Sequence, residues 1–133
     1  MHFPRTLWLF PLLLGIHNAE EAIGMLTFWR KQHWDVPLSQ SQLWFMMFML
    51  DGLAVMVTYF ALKHGKQSFA AYLYAGFVFV ILLNVFWHVS VAIWYRGYAP
   101  GVITAVIFNF PLTIYLLRKT LMERYIFGSK MHS

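Results

Sequence analysis

The stretch LWLFPLLLGIHNAEEAIGMLTFW, residues 7–29, decides the fold of this chain. It is long enough to cross a bilayer as one helix. A hydrocarbon core about 30 Å thick needs about 20 residues at 1.5 Å each. Yet its middle holds His17, Glu20 and Glu21. A charged residue at the centre of a membrane helix costs about 3 kcal/mol on the insertion scale. Such groups persist when they are paired, metal-bound or protonated, and by default they mark function.

The rest of the sequence agrees with a membrane setting. Of 133 residues, 60% are hydrophobic and only 11% are charged, where a soluble domain averages about 25% charged. One polytopic membrane domain over residues 1–133 is expected. The net charge is +5, but the basic residues lie between apolar spans, so a nucleic-acid partner is not expected. The chain has no cysteine, which removes thiolate catalysis, disulfides and cysteine metal ligands. A cleavable signal is not expected, because Glu20 and Glu21 interrupt the apolar run and no small-residue cleavage site follows it.

Working outward, hydropathy predicts four spans, at about residues 7–29, 42–62, 69–95 and 101–121. The fold class expected is all-α, an antiparallel four-helix transmembrane bundle. Asp35-Val36-Pro37 stops the first helix, and Ser39 or Ser41 can cap the second. Gly65 suits a helix C-terminus, and Pro100 suits the first turn of the fourth span. Arg5, Lys63, Lys66, Arg118, Lys119, Arg124 and Lys130 lie on one side, against Arg30, Lys31 and Arg96 on the other. That bias predicts both termini in the cytoplasm. Trp29, Trp34, Trp44, Trp94, Tyr95 and Tyr98 then form an aromatic belt at the outer interface. The tail, residues 118–133, is basic and reads as interfacial.

On a helix each residue turns by about 100°, so Glu20 and Glu21 fall near −60° and +40° from His17. All three can face a bundle interior, and Gly24 on the same stripe allows a close approach by a neighbour. The other spans contribute Asp51, Asn84 with His88 one turn later, and Asn109 just before Pro111. Glu21, Asp51, His88 and Asn109 count to a common depth of roughly 10–14 Å from the outer end of their spans, with His17 and Asn84 slightly deeper. One central polar site open toward the outer leaflet explains that match.

His17-x-x-Glu20-Glu21, Asn84-x-x-x-His88 and Tyr98-x-Pro100-Gly101 together resemble the three motifs of the HXXEE domain family, over nearly the whole chain. The resemblance implies a small multi-span membrane protein of bacteria or archaea. The family's function is not established, and an enzymatic, proteolytic role has been suggested for it. Carried over residue by residue, it marks His17, Glu20, Glu21, Asn84, His88, Tyr98, Pro100 and Gly101.

Two imidazoles with carboxylates form a mixed N/O ligand set suited to Zn²⁺, or to Fe or Mn. On that reading His17, Glu21 and His88 are metal ligands. Glu20 is the general base or a second ligand, and Asp51 a ligand or its orienter. Asn84, Asn109 and Tyr98 support the site, and no organic cofactor is expected. The order His-x-x-Glu-Glu is not that of the zincins, so their roles do not transfer. The function expected is a metal-dependent membrane enzyme, hydrolase-like, acting on a lipid or membrane-embedded substrate. The alternative is a proton or cation conduit through the same carboxylates. That would need an oligomer, since the chain is short and has no inverted repeat. Helix-to-helix glue is the plainest reading. Interhelical hydrogen bonds return only about 0.6–2 kcal/mol each, less than three buried carboxylates cost. For Asn109 the plain alternative is backbone capping at the Pro111 kink.

Overall fold

The computed structural model describes residues 5–65 and 68–122. Every regular element among them is helical. A single 3-10 turn, Arg5–Trp8, leads into α1, Leu9–Lys31. Then come α2, Gln40–His64, and α3, Phe69–Trp94. The last helical run opens with α4, Val102–Thr104, continues through a π segment, Ala105–Asn109, into α5, Phe110–Leu117, and ends in a second π segment, Arg118–Met122. The residues from 123 onward, Lys66 and the extreme N-terminus fall outside the described residues, and with them most of the expected basic tail.

Local sequence explains the boundaries. Ser39 caps α2 in a reciprocal capping box with Gln42, each side chain taking the other's backbone N–H. Ser68 caps α3 through the Ala71 N–H. Gly65 closes α2. Pro100 lies one step before the helix rather than in its first turn, because Gly101 takes the N-cap position of α4. Pro111 has no N–H to give the Ile107 carbonyl. The helix accommodates this with the π segment, in which the Phe110 N–H reaches back to Ala105 O. π segments inside α-helices often lie at functional sites.

Three helical stretches are long and apolar enough to cross a membrane: Gln40–His64, Phe69–Trp94 and Val102–Thr120. Helix α1 has the length, with 23 residues, but its His17–Glu21 stretch lowers its apolarity and it is not one of the three. Large apolar side chains such as Phe48, Trp87 and Ile93 are more than 60% exposed. A water-soluble monomer rarely shows such a continuous apolar exterior.

The apolar core gathers toward one end. Leu7, Phe10, Leu14, Tyr74, Val78 and Leu116 pack there, and the buried Tyr74 hydroxyl donates to Leu7 O at 3.0 Å. Phe10 meets Tyr74 and Phe77 edge-on at 5.6 and 5.4 Å. Toward the other end Phe28, Trp34 and Tyr95 form an aromatic cluster, with centroids 5.4–6.3 Å apart. The polar residues occupy the level between these two apolar clusters.

Candidate metal centre

Helix α1 presents His17 and Glu21 one turn apart, and α3 presents His88 opposite them. His17 Nε2 lies 3.7 Å from Glu21 Oε2, and His88 Nε2 lies 3.5 Å from Glu21 Oε1. The two imidazoles meet edge-on, with centroids 4.8 Å apart. One ligand atom from each of the three residues lies within 4.8 Å of the others, a spacing that could hold a metal ion. Both histidines are almost fully buried.

The distances can be set against those of a hydrogen bond and of a ligand pair. A good N–H···O bond spans 2.7–3.2 Å. Nitrogen and oxygen ligands about 2.0–2.1 Å from a tetrahedral ion stand roughly 3.3–3.4 Å from each other. The two gaps to Glu21, 3.5 and 3.7 Å, are too long for the first and nearer the second, and the three ligand atoms all lie within 4.8 Å of one another. His88 Nε2 is buried and has no hydrogen-bond partner among the described residues. A buried orphan of this kind calls for a specific explanation, and a cation between the three residues supplies one.

The surroundings fix which nitrogens are free. Thr104 Oγ1 lies 2.7 Å from Glu20 Oε1 and donates to that carboxylate. With its proton so committed, it accepts from His17 Nδ1 at 2.9 Å. His17 then carries its proton on Nδ1 and keeps the Nε2 lone pair facing Glu21. Asn84 Nδ2 lies 3.4 Å from that same Nε2. His88 stands beside Pro100 at the edge of a neighbouring cavity, with Nε2 turned to Glu21. Both rings therefore aim the same nitrogen at Glu21, and ligating histidines are commonly oriented through the other ring nitrogen, as His17 is.

Glu20 and Glu21 part company. They project about 100° apart around α1, so Glu21 meets α3 while Glu20 meets the last helix. Glu20 takes the Thr104 N–H at 2.9 Å, the Thr104 hydroxyl, and the Tyr98 hydroxyl at 2.7 Å. Partial burial, the bond to Glu20 and that carboxylate's charge push the Tyr98 phenol up to about 12.

Gly101 makes the crossing possible. Its φ is +88°, and a β-carbon there would come within 2.7 Å of His88 Cε1 and 3.0 Å of His17 Cε1. The loop settles on α1 at Gly24, where an added β-carbon would meet Pro100 Cγ at 3.1 Å. The close approach expected at Gly24 is thus made by a loop rather than a helix.

Asp51 stands apart from the three clustered residues. It accepts from Asn18 Nδ2 at 2.6 Å and so ties α2 to α1. Asn109 is buried with a side-chain amide nitrogen that has no partner among the described residues, and its backbone carbonyl accepts from the Thr113 hydroxyl. Ser90 bonds its own helix at Phe86 O. Two contributors went unnoticed in the sequence. A threonine in an apolar helix can bond its own preceding turn, so Thr104 gives no signal. Asn18 is masked by its charged neighbours.

These are the residues of the three motifs, gathered in space. A family model described as "protein of unknown function with HXXEE motif" matches residues 8–116. The chain belongs to the HXXEE family. A curated relative of this HXXEE chain is the uncharacterized protein YrkK of Bacillus subtilis (strain 168). It is 24% identical over 120 residues, which cover 88% of this chain and 75% of the relative. No solved structure matches.

Proposed function

We propose that this HXXEE protein is a metal-dependent membrane enzyme of the hydrolase type, with His17, Glu21 and His88 as its metal ligands. The observation that carries the reading is the buried, unpartnered Nε2 of His88, 3.5 Å from a carboxylate that also faces His17 Nε2. Two imidazoles and one carboxylate with room for a further ligand are the donor set of catalytic zinc, and also suit iron or manganese. A bound ion of this kind supplies Lewis acidity and a nucleophile at neutral pH.

The chain's own groups do the rest. Glu20 and Thr104 hold His17 in one tautomer. Asn84 stands beside the ligand cluster, where a substrate carbonyl can meet its N–H. In the hydrolysis, water adds to the acyl carbon, the acyl C–O or C–N bond breaks, and the alcohol or amine leaves with a proton. We read the four helices as an antiparallel transmembrane bundle of a bacterial or archaeal cell membrane, both termini cytoplasmic. The exposed apolar flanks and the Lys and Arg bias support that reading.

The test is elemental analysis of protein purified without a histidine tag. About one metal equivalent per chain is expected, and both Glu21→Ala and His88→Ala should lose it while keeping helicity. Metal-free protein under gentle purification overturns the reading.

One observation favours a second reading, a proton conduit. Tyr98, Glu20, Thr104 and His17 form an unbroken hydrogen-bonded chain, with links of 2.7, 2.7 and 2.9 Å, from a half-exposed phenol into the buried site. A conduit predicts metal-free protein whose pH-driven flux in vesicles is abolished by Glu20→Gln.

A further inference from the structure

We propose that the cavity beside the centre is an acyl-chain subsite, which takes a single-chain amphiphile by its carbonyl end from the side of the bilayer. The proposal rests on the metal reading above and names the substrate class for that site. The cavity encloses about 290 Å³ and is lined from three helices. Its walls include Leu14, Met47, Phe77 and Ile81, all apolar. Its polar lining is Asn18, Glu21 and Asn84. Glu21 is therefore shared: one carboxylate belongs both to the ligand cluster and to the cavity. Asn84 links the two again, since its Nδ2 lies 3.4 Å from His17 Nε2.

The position of the mouth fixes the class of occupant. Leu50 of α2 and Val80 of α3 line the cavity while being 42% and 56% exposed. They belong to the apolar exterior, so the opening faces acyl tails rather than water. A fully polar ligand would have to cross that apolar lip. A pure hydrocarbon would offer the Asn84 amide nothing better than its long 3.4 Å contact to His17, and a poorly matched amide is costly in a low-dielectric site. A chain ending in an ester or amide satisfies both ends. The volume lies at the lower end of small-molecule pockets, which fits one medium-length chain and not a whole two-chain phospholipid.

A second cavity of about 260 Å³ reaches His88 from the other side, past Met25, Trp29 and Pro100. Among the described residues, no carboxylate or carboxamide lines it. It serves as the control.

The test uses the Co²⁺-loaded full chain in detergent micelles, titrated with octanohydroxamate and with acetohydroxamate and followed by the cobalt visible spectrum. Octanohydroxamate should bind about tenfold tighter or more, as expected for chain burial. Val80→Trp at the lip and Ile81→Trp in the wall should each erase that preference. Both should leave cobalt content and acetohydroxamate binding unchanged. Val91→Trp, in the control cavity, should leave the preference intact. Equal binding of the two probes, or a preference that survives both blocking variants, overturns the subsite alone. A preference lost only with Val91→Trp moves the chain to the other cavity and overturns it too. Failure of cobalt to bind at all strikes the metal reading itself, and the subsite falls with it.

Discussion

Thr104 stands between Glu20 and His17, donating to the carboxylate at 2.7 Å and accepting from the imidazole at 2.9 Å. A single hydroxyl thus converts the position of a carboxylate on one turn of α1 into the tautomer of a histidine on the previous turn.

Thr104→Val keeps the shape and removes the hydroxyl. Loss of an orienting partner typically costs 10–100-fold in metal affinity, and about that loss is expected in a competitive chelator titration. Thr104→Ser should retain most of the affinity. Equal affinity in Thr104→Val and the parent, with metal bound in both, would show that His17 needs no such partner.

Gly101→Ala tests the crossing of the loop over the two rings. The substitution places a β-carbon 2.7 Å from His88 Cε1 at a backbone φ of +88°. Strain of the order of 1–3 kcal/mol is expected, with a matching fall in the thermal midpoint and displaced metal. A parent-like melting curve would argue against the contact.

Asp51 separates two roles. If it orients Asn18 and does not ligate, Asp51→Asn should keep metal at the parental stoichiometry. The lost charge-assisted bond between α1 and α2 should cost roughly 1–2 kcal/mol. Metal content and a denaturation curve on the same preparation decide it; loss of metal with the fold intact would place Asp51 among the ligands.

Tyr98 gives a pH signature outside the spans. Its phenol is pushed up to about 12 by partial burial and by Glu20. The unfolded phenol ionises near 10, so above that pH the unfolded state loses its proton first. Stability contributed by the neutral phenol is complete below about pH 10 and falls as pH climbs toward 12. In a spectrophotometric titration, Tyr98→Phe should remove one late-ionising phenol from the parent's count. An unchanged count of late-ionising phenols in Tyr98→Phe would contradict the assignment.

Much of this architecture was legible in the sequence, for definable reasons. Long apolar runs have few conformations available in lipid, so helix positions followed from hydropathy, and the cap at Ser39 obeys local hydrogen-bonding rules. Depth counting and the three motifs singled out His17, Glu21 and His88 together. Helical phase also placed Glu20 on the inner face, but it could not say that Glu20 and Glu21 would serve different neighbours. That depends on where α3 and the last helix sit. Asp51 and Asn109 share the level of the site without joining the three clustered residues, because depth alone says nothing about direction around a helix. Thr104 was invisible for a related reason: a threonine among apolar neighbours carries no sign of the partner it will find across the bundle.

The π segment at Ala105–Asn109 carries a consequence of its own. One surplus residue turns the portion above it by about 100° relative to an uninterrupted α-helix. The rotational setting of Thr104 is thereby uncoupled from that of Leu112 and Leu116, which anchor the opposite end. A displacement at Thr104 can therefore be taken up at this joint without re-registering Leu112 and Leu116 in the apolar core.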